Sequence, residues 1–176
     1  MITKTSIPGF TIRKAEKKDV GLVLEFINAL AEYERLADTV SATIQDIEKH
    51  IFSKSPVANV VFGEYFGEPV GFALYFYNFS TFLGKPGIYL EDLFIKESMR
   101  GKGFGKELLK YLARHAVDNG CGRFEWVVLD WNTPSIEFYL SLGAEIKREW
   151  LLNRLTGDEL VKLANSFNGK SQEKNF

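Results

Sequence analysis

Apolar positions recur along this chain with two different periods. Val20, Val23, Leu24, Ile27, Leu30 and Ala31 return every three or four residues, which predicts a helix from Asp19 to about Arg35. The same spacing at Leu108, Leu109, Leu112, Ala113 and Ala116 predicts a second long helix, from Lys106 to about Asn119. Thr43 followed by Asp46 resembles a capping box and opens a short helix ending near Phe52. Elsewhere the apolar residues come in short, β-rich runs. Residues 11–13 read as a strand. Residues 57–66 and 70–79, either side of Gly67-Glu68-Pro69, read as a β-hairpin, and 80–87 as a loop. Strands follow at 88–95 and 123–129. Pro134 suits the first turn of a helix closed by Gly143, residues 144–155 hold one or two more strands, and 156–159 cap a last helix through Ala164.

The order is a meander followed by alternating strands and helices. It predicts an α/β (α+β) fold: a mixed, mostly antiparallel, twisted sheet flanked by helices. No linker or repeat interrupts the pattern. One domain over residues 1–176 is expected, with its core at about 10–164 and a polar, frayed tail at 165–176.

Composition narrows the classes. The chain has 176 residues and is 45% hydrophobic, enough for one packed core. Its 22 basic and 23 acidic side chains leave a net charge of −1, which argues against nucleic acid as a partner. No apolar run reaches the length of a signal peptide core or a membrane span, so no membrane partner is expected. The single cysteine, Cys121, excludes an intrachain disulfide and fits the cytoplasm. His50 and His115 lie far apart and suggest no metal site. Aromatic residues make up 14% of the chain, a surplus compatible with either a bulky core or an interface.

Candidate chemistry concentrates at Arg100-Gly101-Lys102-Gly103-Phe104-Gly105, between a strand and a helix. Such a turn aims backbone N–H groups at one place beside a helix N-terminus, a site suited to phosphate. A Walker loop does not fit: one residue is missing before Gly105-Lys106, and Glu107 stands where a magnesium-binding hydroxyl belongs. The glycines are also spaced wrongly for a dinucleotide fingerprint. An RNA-binding strand would continue with β-forming aromatics, whereas Lys106-Glu107-Leu108-Leu109 continues as a helix. On the glycines alone, a phosphate site and a plain tight turn remain open.

The turn also matches Arg/Gln-x-x-Gly-x-Gly/Ala, the acyl-CoA pyrophosphate motif of the GCN5-related N-acetyltransferases, and the order of elements resembles that family from about residue 10 to 164. Tyr89-Leu90-Glu91-Asp92, Trp131-Asn132-Thr133-Pro134-Ser135-Ile136-Glu137-Phe138-Tyr139 and Tyr33-Glu34 resemble its diamine (spermidine/spermine) branch. The resemblance implies acetyl-CoA as co-substrate and no metal. It implies that the backbone of Gly101 to Lys106, with charge from Arg100 and Lys102, holds the pyrophosphate. It implies that the amides of Leu93, Phe94 and Ile95 face the pantetheine arm and polarise the acetyl carbonyl. Asn132 and Ser135 would meet the cofactor, although either also suits a helix cap. Tyr139 would protonate the leaving thiolate, and Glu91 would take the proton of the acceptor ammonium. Strand alternation puts Glu91 on the side of Tyr89 and Leu93 and Asp92 on the other, so Asp92 is expected to be structural. Tyr33 and Glu34 would receive the amine.

One stretch departs from the branch. Polyamine enzymes place an Asp and a Trp before their Gly-Lys, where this chain has Ser80 and Phe82, and Gly87 is an extra residue. Glu125 is the expected replacement charge. The resemblance therefore implies an N-acetyltransferase acting by direct transfer on a small primary amine: a diamine, a polyamine or a thialysine-like amino acid. A peptide or protein acetyltransferase, or a CoA-binding protein without turnover, remain the alternatives. Members of the family commonly form homodimers, and that is expected here.

Overall fold

The computed structural model describes residues 2–167; most of the expected tail, 168–176, lies outside them. The chain falls into two compact units, Met1–Val127 and Val128–Phe176.

The first unit is built on a six-stranded sheet in the order β1 to β6: β1 (Ile2–Lys4), β2 (Phe10–Lys14), β3 (Asn59–Tyr65), β4 (Glu68–Ser80), β5 (Lys85–Ile95) and β6 (Arg123–Trp126). Every neighbouring pair is antiparallel except β5 and β6. Helix α1 (Val20–Tyr33), α2 (Ile44–Ile51) and α3 (Phe104–Asp118) complete it. The β3–β4 turn is tighter than the sequence suggests: Tyr65 already pairs with Glu68. Phe66 and Gly67 both take positive φ, 50° and 87°, as a two-residue type I′ turn requires.

Each face of the sheet has its own cover. On one face Phe62, Phe72, Leu74 and Phe94 bury Val20, Val23, Phe26 and Leu30 of α1 and Ile47 of α2. Phe26 escaped the expected stripe, yet its ring packs against Phe62, Phe72 and Phe94 at 5.3–6.2 Å. On the other face Leu108, Leu109, Leu112 and Ala116 of α3 are buried. Ala113, expected inward, is exposed.

Three further expectations are corrected. The loop at 80–87 shrinks to a turn, because β4 and β5 stay paired as far as Ser80 and Lys85. Strand β6 stops at Trp126 rather than Leu129. Residues 144–155 form no strand, and in their own unit they have no ladder to join. That second unit contains α4 (Thr133–Ser141) and α5 (Gly157–Asn165), with Gly143 closing α4 at φ 89°.

Candidate active site

The glycine turn is shaped to leave donors free. Gly101 and Gly103 take φ of 76° and 83°, values that a side chain would strain. Gly103 is the N-cap of α3. The first helical bond runs from the Glu107 N–H to the Gly103 carbonyl, 3.1 Å. The N–H groups of Phe104, Gly105 and Lys106 therefore precede the ladder and point out of the helix end. Phe104 contributes only its backbone there, since its side chain is buried and stacks on Phe10 at 4.2 Å. The turn is also tied at its acidic end: Glu107 accepts from the Ser6 hydroxyl at 3.0 Å and from Lys110 at 2.7 Å.

The two basic residues of the turn are placed differently. Arg100 is engaged by protein: its guanidinium lies 4.1 Å from the Tyr33 ring and 5.5 Å from that of Phe94, and Nε donates to the Ile95 carbonyl at 3.0 Å. It is a strut between the turn, β5 and the end of α1. Lys102 is exposed, with Nζ 3.5 Å from Met99 Sδ and 5.7 Å from the Tyr65 ring centre. It is the exposed charge of the two.

Strand β5 carries an irregularity at the key acid. Leu74 pairs with Asp92 but Tyr75 pairs with Leu90, so Glu91 is an unpaired bulge residue. A bulge breaks the alternation on which the sequence reading of this pair rested. Tyr89 stacks on Phe76 at 5.1 Å, and Phe94 belongs to the core under α1. Asp92, two residues before Phe94 and opposite Leu74, shares that face. Tyr89 and Asp92 thus lie together under α1, while Leu93 turns to the α3 side.

Past the bulge β5 also loses a neighbour. Its last partner on β6 pairs with Leu90. The Lys96 N–H donates to Val70 on β4 at 2.9 Å. A residue's N–H and C=O point the same way and alternate along a strand. The main chain of Phe94 therefore faces β4, and the amides of Leu93 and Ile95 face the edge that β6 has left. That edge offers N–H groups in a row, as an extended thioester arm requires.

The carboxylates converge at the α1 end. Glu34 is the C-cap of α1, and burial pushes its carboxyl above the ordinary value. Asp92 is pushed up to about 7 by burial, then by the charges of Glu91 and Glu34. Alternation alone separated Asp92 from Tyr89; the bulge at Glu91 brings both to the α1 face, near Glu34. Glu125 is not free: it lies 2.8 Å from Arg123 Nε and accepts from Asn78 Nδ2 at 3.0 Å. Ser80 accepts from the Leu83 N–H at 3.3 Å within the hairpin turn, and Phe82 is exposed at its tip.

In the second unit Asn132 is buried and caps α4, accepting from the Ser135 N–H at 3.4 Å. Tyr139 lies on the same helix, half-buried, with its ring 5.4 Å from that of Phe138. Among the described residues no His, Cys, Asp or Glu group is arranged to hold a metal, and no helix is long and apolar enough to cross a membrane.

An anion-binding helix end beside a strand with an open amide edge is the arrangement of an acyl-CoA transferase. The description "Acetyltransferase (GNAT) family" matches residues 24–144. The chain is 37% identical over 164 residues to thialysine N-epsilon-acetyltransferase of Sus scrofa, covering 87% of this chain and 96% of that protein. It is 45% identical over 121 residues to L-ornithine N5-acetyltransferase of Arabidopsis thaliana, 69% of this chain and 50% of that protein. Among solved structures, an integron cassette protein from the mobile metagenome of V. cholerae superposes with a TM-score of 0.76 at 32% identity, covering 90% of this chain and 99% of that one. The chain belongs to the GNAT acetyltransferase family, whose co-substrate is acetyl-CoA.

Proposed function

We propose that this protein transfers the acetyl group of acetyl-CoA directly to a primary amine of a small molecule, a diamine or a thialysine-like amino acid. The observation that carries the acceptor is the group of Glu34, Glu91 and Asp92 at the α1 end, where none of the three has an ion-pair partner among the described residues. Three neighbouring carboxyls attract an ammonium and, with Asp92 poised near neutrality, accept its proton. The relatives named for thialysine and L-ornithine support the same class of acceptor.

The roles follow. The free N–H groups of Phe104, Gly105 and Lys106 and the exposed charge of Lys102 hold the pyrophosphate. Acetyl-CoA supplies the activated thioester. The Leu93 N–H donates to its carbonyl oxygen as negative charge develops there, and the Ile95 N–H pairs with the pantetheine arm. Glu91, next to the raised carboxyl of Asp92, takes the proton that frees the amine nitrogen. Tyr139 gives its proton to the departing sulfur, and Asn132 orders the helix that carries it. The chain acts as one acetyltransferase domain, a reading supported by the family match running across residues 127 and 128.

A homodimer is part of the proposal. Ile146, Trp150, Leu151, Leu152 and Leu155 are all exposed in a segment with no strand partner among the described residues. A second copy would cover them. Half-buried Cys121 fits a reducing compartment, the cytoplasm.

A thiol-release assay across a panel of amines tests the whole reading, and release with none of them overturns it. Within it, Tyr139→Phe should lower kcat about 100-fold or more while acetyl-CoA binding by calorimetry stays within threefold. Normal turnover removes Tyr139 from the acid role. Light scattering at the mass of one chain removes the dimer.

A further inference from the structure

Strand β6 carries two charged side chains that acetyl transfer leaves unused. Register sets Arg123 opposite Gly87 and Glu125 opposite Tyr89, with Asn78 across Gly87 on β4. Since Tyr89 lies under α1, residues two apart from it share that face, and so do their cross-strand partners. Asn78, Gly87, Arg123 and Glu125 therefore sit on the same face as Asp92.

This cluster is incompletely bonded. Arg123 Nε approaches Glu125 Oε2 to 2.8 Å, yet its N–H is buried without a hydrogen-bond partner, and so is Asn78 Oδ1. The cluster exists because residue 87 is a glycine. A Cβ there would overlap Asn78 Oδ1 and come within 2.8 Å of Arg123 Cγ. An unfilled acceptor and an unfilled donor thus lie beside a carboxylate and a guanidinium. Side chains left this way in a native fold call for an explanation.

A ligand that completes such a set carries a cation and an anion on neighbouring atoms. The α-ammonium and α-carboxylate of a free amino acid are that combination. A polyamine offers only cations, which give Arg123 no second acceptor beyond Glu125. The cluster lies over Gly87, and from there to Glu91 and Asp92 four to five residues at about 3.3 Å each give roughly 13–17 Å along β5, a gap shared between the ligand, a hydrogen bond at each of its ends and the reach of the acidic side chains. The four or five bonds between the α-carbon and the side-chain nitrogen of ornithine or lysine span about 5–6 Å when extended, before side-chain reach is added.

We infer that Arg123 and Glu125, steadied by Asn78 over Gly87, read the α-carboxylate and α-ammonium of an amino-acid acceptor whose side-chain amine reaches Glu91 and Asp92. This rests on the proposed function and adds the residues that choose between an amino acid and the diamine lacking its carboxylate.

The test is steady-state kinetics on matched pairs, L-ornithine against putrescine and L-lysine against cadaverine. The wild type should favour the amino acid in kcat/KM by about 10- to 100-fold, the worth of one charge-assisted hydrogen bond. Arg123→Gln should raise KM for the amino acid, with little change in kcat, and bring the ratio close to one. Gly87→Ala, which displaces Asn78 and Arg123, should move the ratio the same way. Should Arg123→Gln fold poorly, Arg123→Lys keeps a cation but loses the planar fork, and an intermediate ratio is expected. A ratio untouched by these changes, or a wild type that prefers the diamine, overturns the inference and leaves the acetyltransferase reading standing. Thiol release with no amine at all overturns both.

Discussion

Asp92 shows how one carboxyl acquires a working proton affinity. Burial and the charges of Glu91 and Glu34 move it up to about 7 from an ordinary 3.8. The folded state then holds a proton that the unfolded chain releases between about pH 4 and 7. Its contribution to stability is full below about pH 4 and is lost as pH rises through 7. Asn mimics the protonated form. Asp92→Asn should therefore melt roughly 10 °C above the wild type at pH 8 and level with it at pH 4, as scanning calorimetry would show. In activity the sign reverses. On the proposed function the ionised form attracts and deprotonates the amine, so kcat/KM should rise through pH 7, and Asp92→Asn should flatten that limb. A rising limb kept in the variant would remove Asp92 from that role. The Glu91-Asp92 motif was legible from the sequence. The face that Asp92 takes was not, because single-strand alternation does not foresee the bulge at Glu91. Arg100 was half legible: its motif is present, but its stacking on Tyr33 depends on where α1 ends.

At the scale of elements the glycine turn divides into positions with different tasks. A side chain at Gly103 would be strained at φ 83° and would crowd Ile7 Cδ1 at 3.3 Å, whereas one at Gly105 would meet only Ile95 Cγ1 at 3.7 Å, an ordinary contact. Gly103→Ala should cost about 1–2 kcal/mol and raise KM for acetyl-CoA as the helix end shifts. Gly105→Ala should change the melting temperature by less than about 1 °C, in keeping with its small steric demand. Equal losses in both variants would contradict this division. The helices and the β3–β4–β5 meander were legible because each carries a full period of apolar residues or a capping box. Two elements were not. Strand β1 has three exposed residues, too few to show an alternation. Residues 144–155 carry strand-like residues, but a strand exists only where a neighbour completes its ladder, and sequence pattern says nothing about the neighbour.

The first unit as a whole is tied by one polar knot. Arg13 bonds both Asp19 oxygens, at 2.6 and 3.0 Å, and Glu64 at 2.6 Å, joining β2, β3 and the start of α1 where water is scarce. Burial pushes the Asp19 carboxyl up, but Arg13 and the Glu16 N–H outweigh it and hold it below its ordinary value. That contribution is present above about pH 4 and lost as pH falls further, so the knot weakens under acid. Arg13→Ala leaves two buried carboxylates facing each other. It should cost about 3–5 kcal/mol in urea unfolding at pH 7, and less at pH 3. An equal loss at both pH values would mean that packing, rather than charge, is what Arg13 supplies.

The stack of Phe104 on Phe10 ties the glycine-turn end of α3 to the timescale on which the whole first unit opens. The first residue of α3 is clamped to a strand buried in the sheet, so the helix end cannot fray by itself, as exposed helix ends do. The amides of the turn after Glu107 should then exchange with solvent only when the first unit opens globally. A ligand arriving at the glycine turn would find its donors already fixed and would leave the exchange pattern of α3 unchanged while slowing exchange everywhere in the unit by the same factor.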